Sequence, residues 1–172
     1  KKYVDGIDRI GLRKQLTWDV PLNGKEGTSS IRYPDDKVNY WSKTTLPWMS
    51  FGYETQVPPI YMLMFYNGIA NGGKMIKPFI AKKFVENGKV VKEFEAEVIN
   101  PKICKETTLE EIHKMLISVV ENGTAKVVES DYFSIAGKTG TAQIAGGGGY
   151  SGYYVSFAGY FPADKPMYTI FV

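Results

Sequence analysis

The sequence predicts an α+β chain, with helices packed on an antiparallel sheet. Three observations carry this. Residues 57–71 form an apolar run of helical length. Residues 109–120 repeat apolar side chains at helical spacing. Three β-prone runs fill the last third, joined by links short enough to require antiparallel pairing. The 172 residues suit one domain, and 44% hydrophobic with 23% charged is ordinary for a globular chain. That excludes global disorder, a coiled coil and a collagen-like chain. A net charge of +3 is too weak a bias for a nucleic-acid binder. One Cys, Cys104, cannot form an internal disulfide, and with His113 as the single His no zinc cluster is supplied.

Residues 3–12 read as the end of a helix, with Val4, Ile7, Ile10 and Leu12 on a stripe and Gly11 at the C-terminus. Residues 13–50 read as a long irregular excursion, anchored by Trp18, Trp41 and Trp48. Val57-Pro58-Pro59 can open a helix, and Asn71-Gly72-Gly73 can close it. Between them Ile60, Met62, Leu63, Met64, Phe65, Ile69 and Ala70 leave almost no polar break, as in a buried helix. Residues 78–94 read as an exposed hairpin turning at Asn87-Gly88. Thr108 to Glu111 fits a capping box, followed by Leu109, Ile112, Leu116, Val119 and Val120 on one face and a stop at Asn122-Gly123. His113 lies on this helix without a titratable partner in sequence, so it reads as structural or exposed, not catalytic. The strands are expected at 133–143, 153–161 and 167–172, with a mobile glycine loop at 146–152. No stretch approaches the roughly 18 apolar residues of a membrane span.

Chemistry concentrates in Ala136-Gly137-Lys138-Thr139-Gly140-Thr141-Ala142-Gln143. A nucleotide-binding P-loop would need Gly at position 132, which is Tyr, and its glycines before the Lys rather than after. The competing reading is a Lys-Thr-Gly strand beside a cleft. There Lys138 offers a charge-assisted hydrogen bond to a carboxylate, worth about 1.5–3 kcal/mol. Thr139 and Thr141 share one side of the strand. Gly140 lets a ligand approach the backbone. On three residues alone, an exposed strand with no function would be the better reading.

Further stretches accompany it in order: Phe51-Gly52-Tyr53-Glu54, Ala70-Asn71-Gly72-Gly73, Pro78, Val120 to Ala125, and Ser156 to Ala163. With these, the whole of 1–172 resembles the transpeptidase domain of class B penicillin-binding proteins, in detail closest to the septal, cell-division type. Val57-Pro58-Pro59-Ile60 departs from the family's usual Thr-Pro-x-Gln. The resemblance implies an incomplete penicillin-binding-protein/serine β-lactamase-like fold. It also implies a serine-type D,D-transpeptidase that cross-links peptidoglycan through an acyl-enzyme, without a cofactor. It implies carboxylate binding by Lys138, Thr139, Gly140 and Thr141, and an oxyanion donor in the backbone N–H of Thr141. Such a donor contributes about 2.7–4 kcal/mol in the transition state. Implied partners are peptidoglycan stem peptides, β-lactams and the proteins of the division or elongation machinery. The implied location is the extracytoplasmic face of the bacterial inner membrane, with the anchor outside this sequence.

No serine here has Lys three residues later, and no Ser-x-Asn occurs. The expectation is therefore a partial domain whose nucleophile lies upstream. The missing initiator Met and the abrupt β-prone end at Val172 suggest the same. Such a truncated sheet is expected to form oligomers through its edges. A β-lactamase or β-lactam sensor shares the strand but suits the 13–50 excursion poorly. A non-catalytic scaffold module is the reading of a different class.

Overall fold

The computed structural model describes residues 1–19, 30–34, 41–146 and 149–172. Helix α1 (Lys2–Ile10) ends where the sequence places its stop. Gly11 adopts φ +106° and its N–H reaches the carbonyls of Ile7 and Asp8, a left-handed cap that a side chain would strain. Strand β1 (Ser30–Ile31) and helix α2 (Thr45–Met49) follow, and β2 (Thr55–Gln56) pairs antiparallel with β1. The expected irregular excursion is thus interrupted by a short helix; its residues 20–29 and 35–40 lie outside the described set. Val4, Ile31 and Met49 bury together there, with Trp41 packed against them. Trp18 packs on the main core, whereas Trp48 stays partly exposed against Phe51 and Tyr53.

Helix α3 (Pro59–Ala70) has proline at its first turn, where a missing N–H costs nothing. Tyr61, Met64, Gly68 and Ile69 are buried, and the others, apart from Pro59, are half-buried. Tyr61 is fully buried because its hydroxyl is satisfied: it donates to the Lys14 carbonyl at 2.9 Å and accepts from the Leu16 N–H at 3.3 Å. Strands β3 (Met75–Ile76), β4 (Lys83–Glu86), β5 (Lys89–Glu93) and β6 (Val98–Asn100) come next, paired β3 with β6 and β4 with β5. The β4–β5 hairpin turns at Asn87 and Gly88, with φ +51° and +75°. All its strand residues are exposed, as the scattered Lys and Glu suggest. It is shorter than 78–94, because the N–H groups of Ile80 and Ala81 are taken by the Asp19 carboxylate. Those two N–H groups, with Lys77 nearby, hold the Asp19 carboxyl below its ordinary range.

Helix α4 (Glu106–Glu121) corrects the expected capping box. It starts two residues before Thr108, from an extended Lys105 whose side chain makes no capping hydrogen bond. Leu109 N–H already bonds the Lys105 carbonyl at 3.0 Å, so Thr108 lies within the first turn. A 3₁₀ turn (Lys126–Val128) follows. The chain then forms β7 (Ala136–Gly146), β8 (Gly149–Phe161) and β9 (Tyr168–Phe171), a three-stranded antiparallel sheet in that spatial order. The first strand begins three residues later than expected. The second begins four earlier: residues 149–152 are strand instead of loop, Gly149 and Tyr150 pairing with Gly146 and Ala145 before a register shift, and 147–148 lie outside the described residues.

One face of this sheet carries Ala136, Ala158 and Tyr160, all buried, with Ala136 and Tyr160 in the core that α3, α4 and Met75 form. The other carries Gly137 and Gly159, which are cross-strand partners, with the Phe157 ring over both. A Cβ at Gly137 would meet that ring and lie 2.8 Å from the Ala158 carbonyl oxygen. Gly137→Ala should therefore destabilise the fold by about 1–3 kcal/mol, the range for overpacking. A denaturation midpoint equal to that of the unaltered chain would contradict this packing.

On the inner face, His113 of α4 stacks on Tyr160, with ring centroids 5.9 Å apart and planes 14° from parallel. His113 Nδ1 is 2.8 Å from the Tyr160 hydroxyl, which agrees with a structural role for this histidine. Burial, with Tyr66 adding to it, pushes the Tyr160 phenol up to about 12. The fold thus favours the neutral phenol. That stabilisation is complete below pH about 10 and is lost as pH rises toward 12. Absorbance titration should show a tyrosine ionising in this late step, and Tyr160→Phe should remove it.

Candidate functional site

The chemistry-bearing residues lie on β7, an outer strand of its sheet. Backbone direction follows from the ladder. Phe157 exchanges both of its backbone hydrogen bonds with Val172, each at 2.9 Å, so its N–H and C=O turn toward β9. Its neighbours Ser156 and Ala158 therefore turn toward β7, where their partners are Gly140 and Lys138. Alternation then sends the N–H and C=O of Thr139 and Thr141 to the open edge of β7. Side chains alternate independently: Thr139 and Thr141 share the face of Phe157 and Val155, and Lys138 and Gly140 share the face of Ala158 and Ser156.

Lys138 starts from the inner face, but its ammonium curls round the open edge. It donates to the Thr139 carbonyl at 2.9 Å and to the Thr139 hydroxyl at 3.2 Å. Lys138 and Thr141 are exposed, and Thr139 and Gly140 are half-buried. Gly140 has an intramolecular reason beside the expected one, since a Cβ there would come within 2.5 Å of Ser156 Oγ. Farther along, the Tyr53 hydroxyl donates to Gln143 Oε1 at 2.9 Å, tying the segment after α2 to β7.

One member of this edge is not foreseen from the motif. The Thr124 hydroxyl lies 2.9 Å from that of Thr139, brought there by the turn after α4. Only its place in the Val120 to Ala125 stretch marks it in sequence. Among the described residues, no group of three His, Cys, Asp or Glu side chains could hold a metal ion.

A half-buried hydroxyl beside an ammonium, with outward N–H groups on an open strand, is a row of donors chemically suited to an anion. The antiparallel sheet backed by apolar helices puts the chain in the α+β class of folds. The chain belongs to the family described as the penicillin binding protein transpeptidase domain, which matches residues 6–172. It is 32% identical to stage V sporulation protein D of Bacillus subtilis over 99% of this chain and 28% of that protein. It is 30% identical to a peptidoglycan D,D-transpeptidase FtsI homolog of Mesostigma viride, over 98% of this chain and 30% of the relative. Penicillin-binding protein 3 of Mycobacterium tuberculosis, complexed with ampicillin, superposes with a TM-score of 0.81 at 30% identity. That likeness covers 99% of this chain and 38% of the solved one. The chain therefore spans less than a third of the length of these two curated relatives.

Proposed function

We propose that the chain is the C-terminal part of a class B transpeptidase domain, closest to the septal type, and that it supplies the substrate-carboxylate wall of a peptidoglycan D,D-transpeptidase. The open edge of β7 carries this reading, with Lys138, Thr139 and the outward N–H of Thr141 in one row. In the reaction, a serine outside this sequence attacks the D-Ala-D-Ala amide and forms an ester. The departing D-Ala takes a proton, and the amine of a neighbouring stem peptide then displaces the serine. Lys138 and the hydroxyls of Thr139 and Thr141 hold the terminal carboxylate. The Thr141 N–H receives the negative charge that develops on the attacked carbonyl. A β-lactam presents its own carboxylate and carbonyl to the same row. The M. tuberculosis protein has been captured with aztreonam and with ampicillin, which supports this ligand class.

The remainder of the domain would lie outside this sequence. Met167, Tyr168, Ile170 and Val172 along β9 are exposed apolar residues that such a remainder could cover. In the chain alone they favour oligomers. No helix among the described residues is long and apolar enough to cross a membrane. We place the anchor in the remainder as well, with the domain on the extracytoplasmic side of the inner membrane among the proteins of cell division or elongation.

Two measurements check this reading. In the full-length protein, Lys138→Ala should slow acylation by a fluorescent penicillin about tenfold to a hundredfold, the worth of one charge-assisted hydrogen bond. Its thermal midpoint should hold, because the side chain is exposed; equal rates would remove Lys138 from the site. The 172-residue chain by itself, lacking Ser-x-x-Lys, should show no covalent β-lactam adduct by intact mass. A stoichiometric shift by the mass of the drug would place the nucleophile within it.

A further inference from the structure

The turn after α4 is built more tightly than a surface connection needs. Ala125 is fully buried, and its N–H bonds the Val119 carbonyl at 3.1 Å. A Cβ at Gly123 would lie 2.9 Å from that same carbonyl oxygen, so a side chain there would force the turn apart. Lys126 N–H and Val128 N–H continue the turn, onto Gly123 and Ala125. Thr124 stands between the crowded glycine and the buried alanine, so its backbone is held on both sides. Yet its own side chain is exposed and anchors nothing in the core. The hydrogen bond that the structure gives it is the 2.9 Å contact with the Thr139 hydroxyl.

A threonine hydroxyl has one hydrogen and two lone pairs. At Thr139 the Lys138 ammonium already donates into one lone pair, at 3.2 Å. If Thr139 gave its hydrogen to Thr124, it would have none to offer a carboxylate. If Thr124 donates instead, both lone pairs of Thr139 are filled from within the protein and its hydrogen is left for the ligand. We infer that Thr124 is a positioning residue for the proposed reaction: by donating to Thr139 Oγ1 from the rigid turn after α4, it directs the Thr139 hydrogen toward the substrate carboxylate. The inference rests on the carboxylate-binding reading of Thr139 above.

The test uses the full-length protein and the second-order rate constant for acylation by a carboxylate-bearing penicillin. Thr124→Val keeps the shape and removes the hydroxyl; it should lower that constant about fivefold, the scale of one neutral hydrogen bond. Thr124→Ser should restore it. Because Thr124 acts through Thr139, the double variant T124V/T139V should be no slower than T139V alone. A T124V rate equal to that of the unaltered protein would overturn the inference. So would a failure of T124S to rescue, or losses that multiply in the double variant, since each assigns Thr124 a role of its own in packing or binding. If the unaltered protein is not acylated, the transpeptidase reading falls and this inference with it. Normal acylation with an indifferent T124V sinks the inference alone.

Discussion

The register of β7 against β8 is the constraint from which the site follows. Pairing Ala136 with Tyr160 and Gly137 with Gly159 puts the two small residues under the Phe157 ring and the two inner ones against the helices. Because side chains alternate, a slip of one residue would turn Lys138 to the opposite face and bury Gly137 where Ala136 belongs. The same slip would point the N–H of Thr141 into the ladder instead of out of it. The apolar packing of one end of the strand thus decides which backbone groups the other end offers to solvent.

The polar contacts depend on that register. His113 meets the Tyr160 hydroxyl only because Tyr160 faces inward onto α4. Thr124 meets Thr139 only because Thr139 faces the other way, at the open edge beside the turn that closes α4. One helix therefore braces the sheet from its inner face and, at its C-terminal end, reaches a side chain of the outer face.

Much of this is legible in sequence where the signal is local. The run from Ile60 to Ala70 declares a buried helix by its composition, Gly11 and Asn87-Gly88 declare their left-handed turns, and the Lys-Thr-Gly run declares its strand. Illegible features depend on partners far along the chain. Helix α2 hides among polar and aromatic residues and contains Pro47. Ile80 and Ala81 look like strand residues until Asp19, some sixty positions away, takes their N–H groups. Gly149 and Tyr150 belong to a strand because they pair with Gly146 and Ala145; glycine content alone suggests a loop. The site shows the same division. Lys138, Thr139 and Thr141 stand out as a motif, whereas the Thr124 contact exists only once α4 has packed.

An open strand edge invites another chain to pair along it, and proteins discourage this with charges placed at the edge. Here the Lys138 ammonium already occupies the Thr139 carbonyl at 2.9 Å. A neutral strand docking on that row would have to displace the ammonium and strip its water, which is costly for a charge left without a partner. A ligand that brings a negative charge would instead meet the ammonium directly. The same lysine thus closes the edge to neutral backbone and leaves it open to anions.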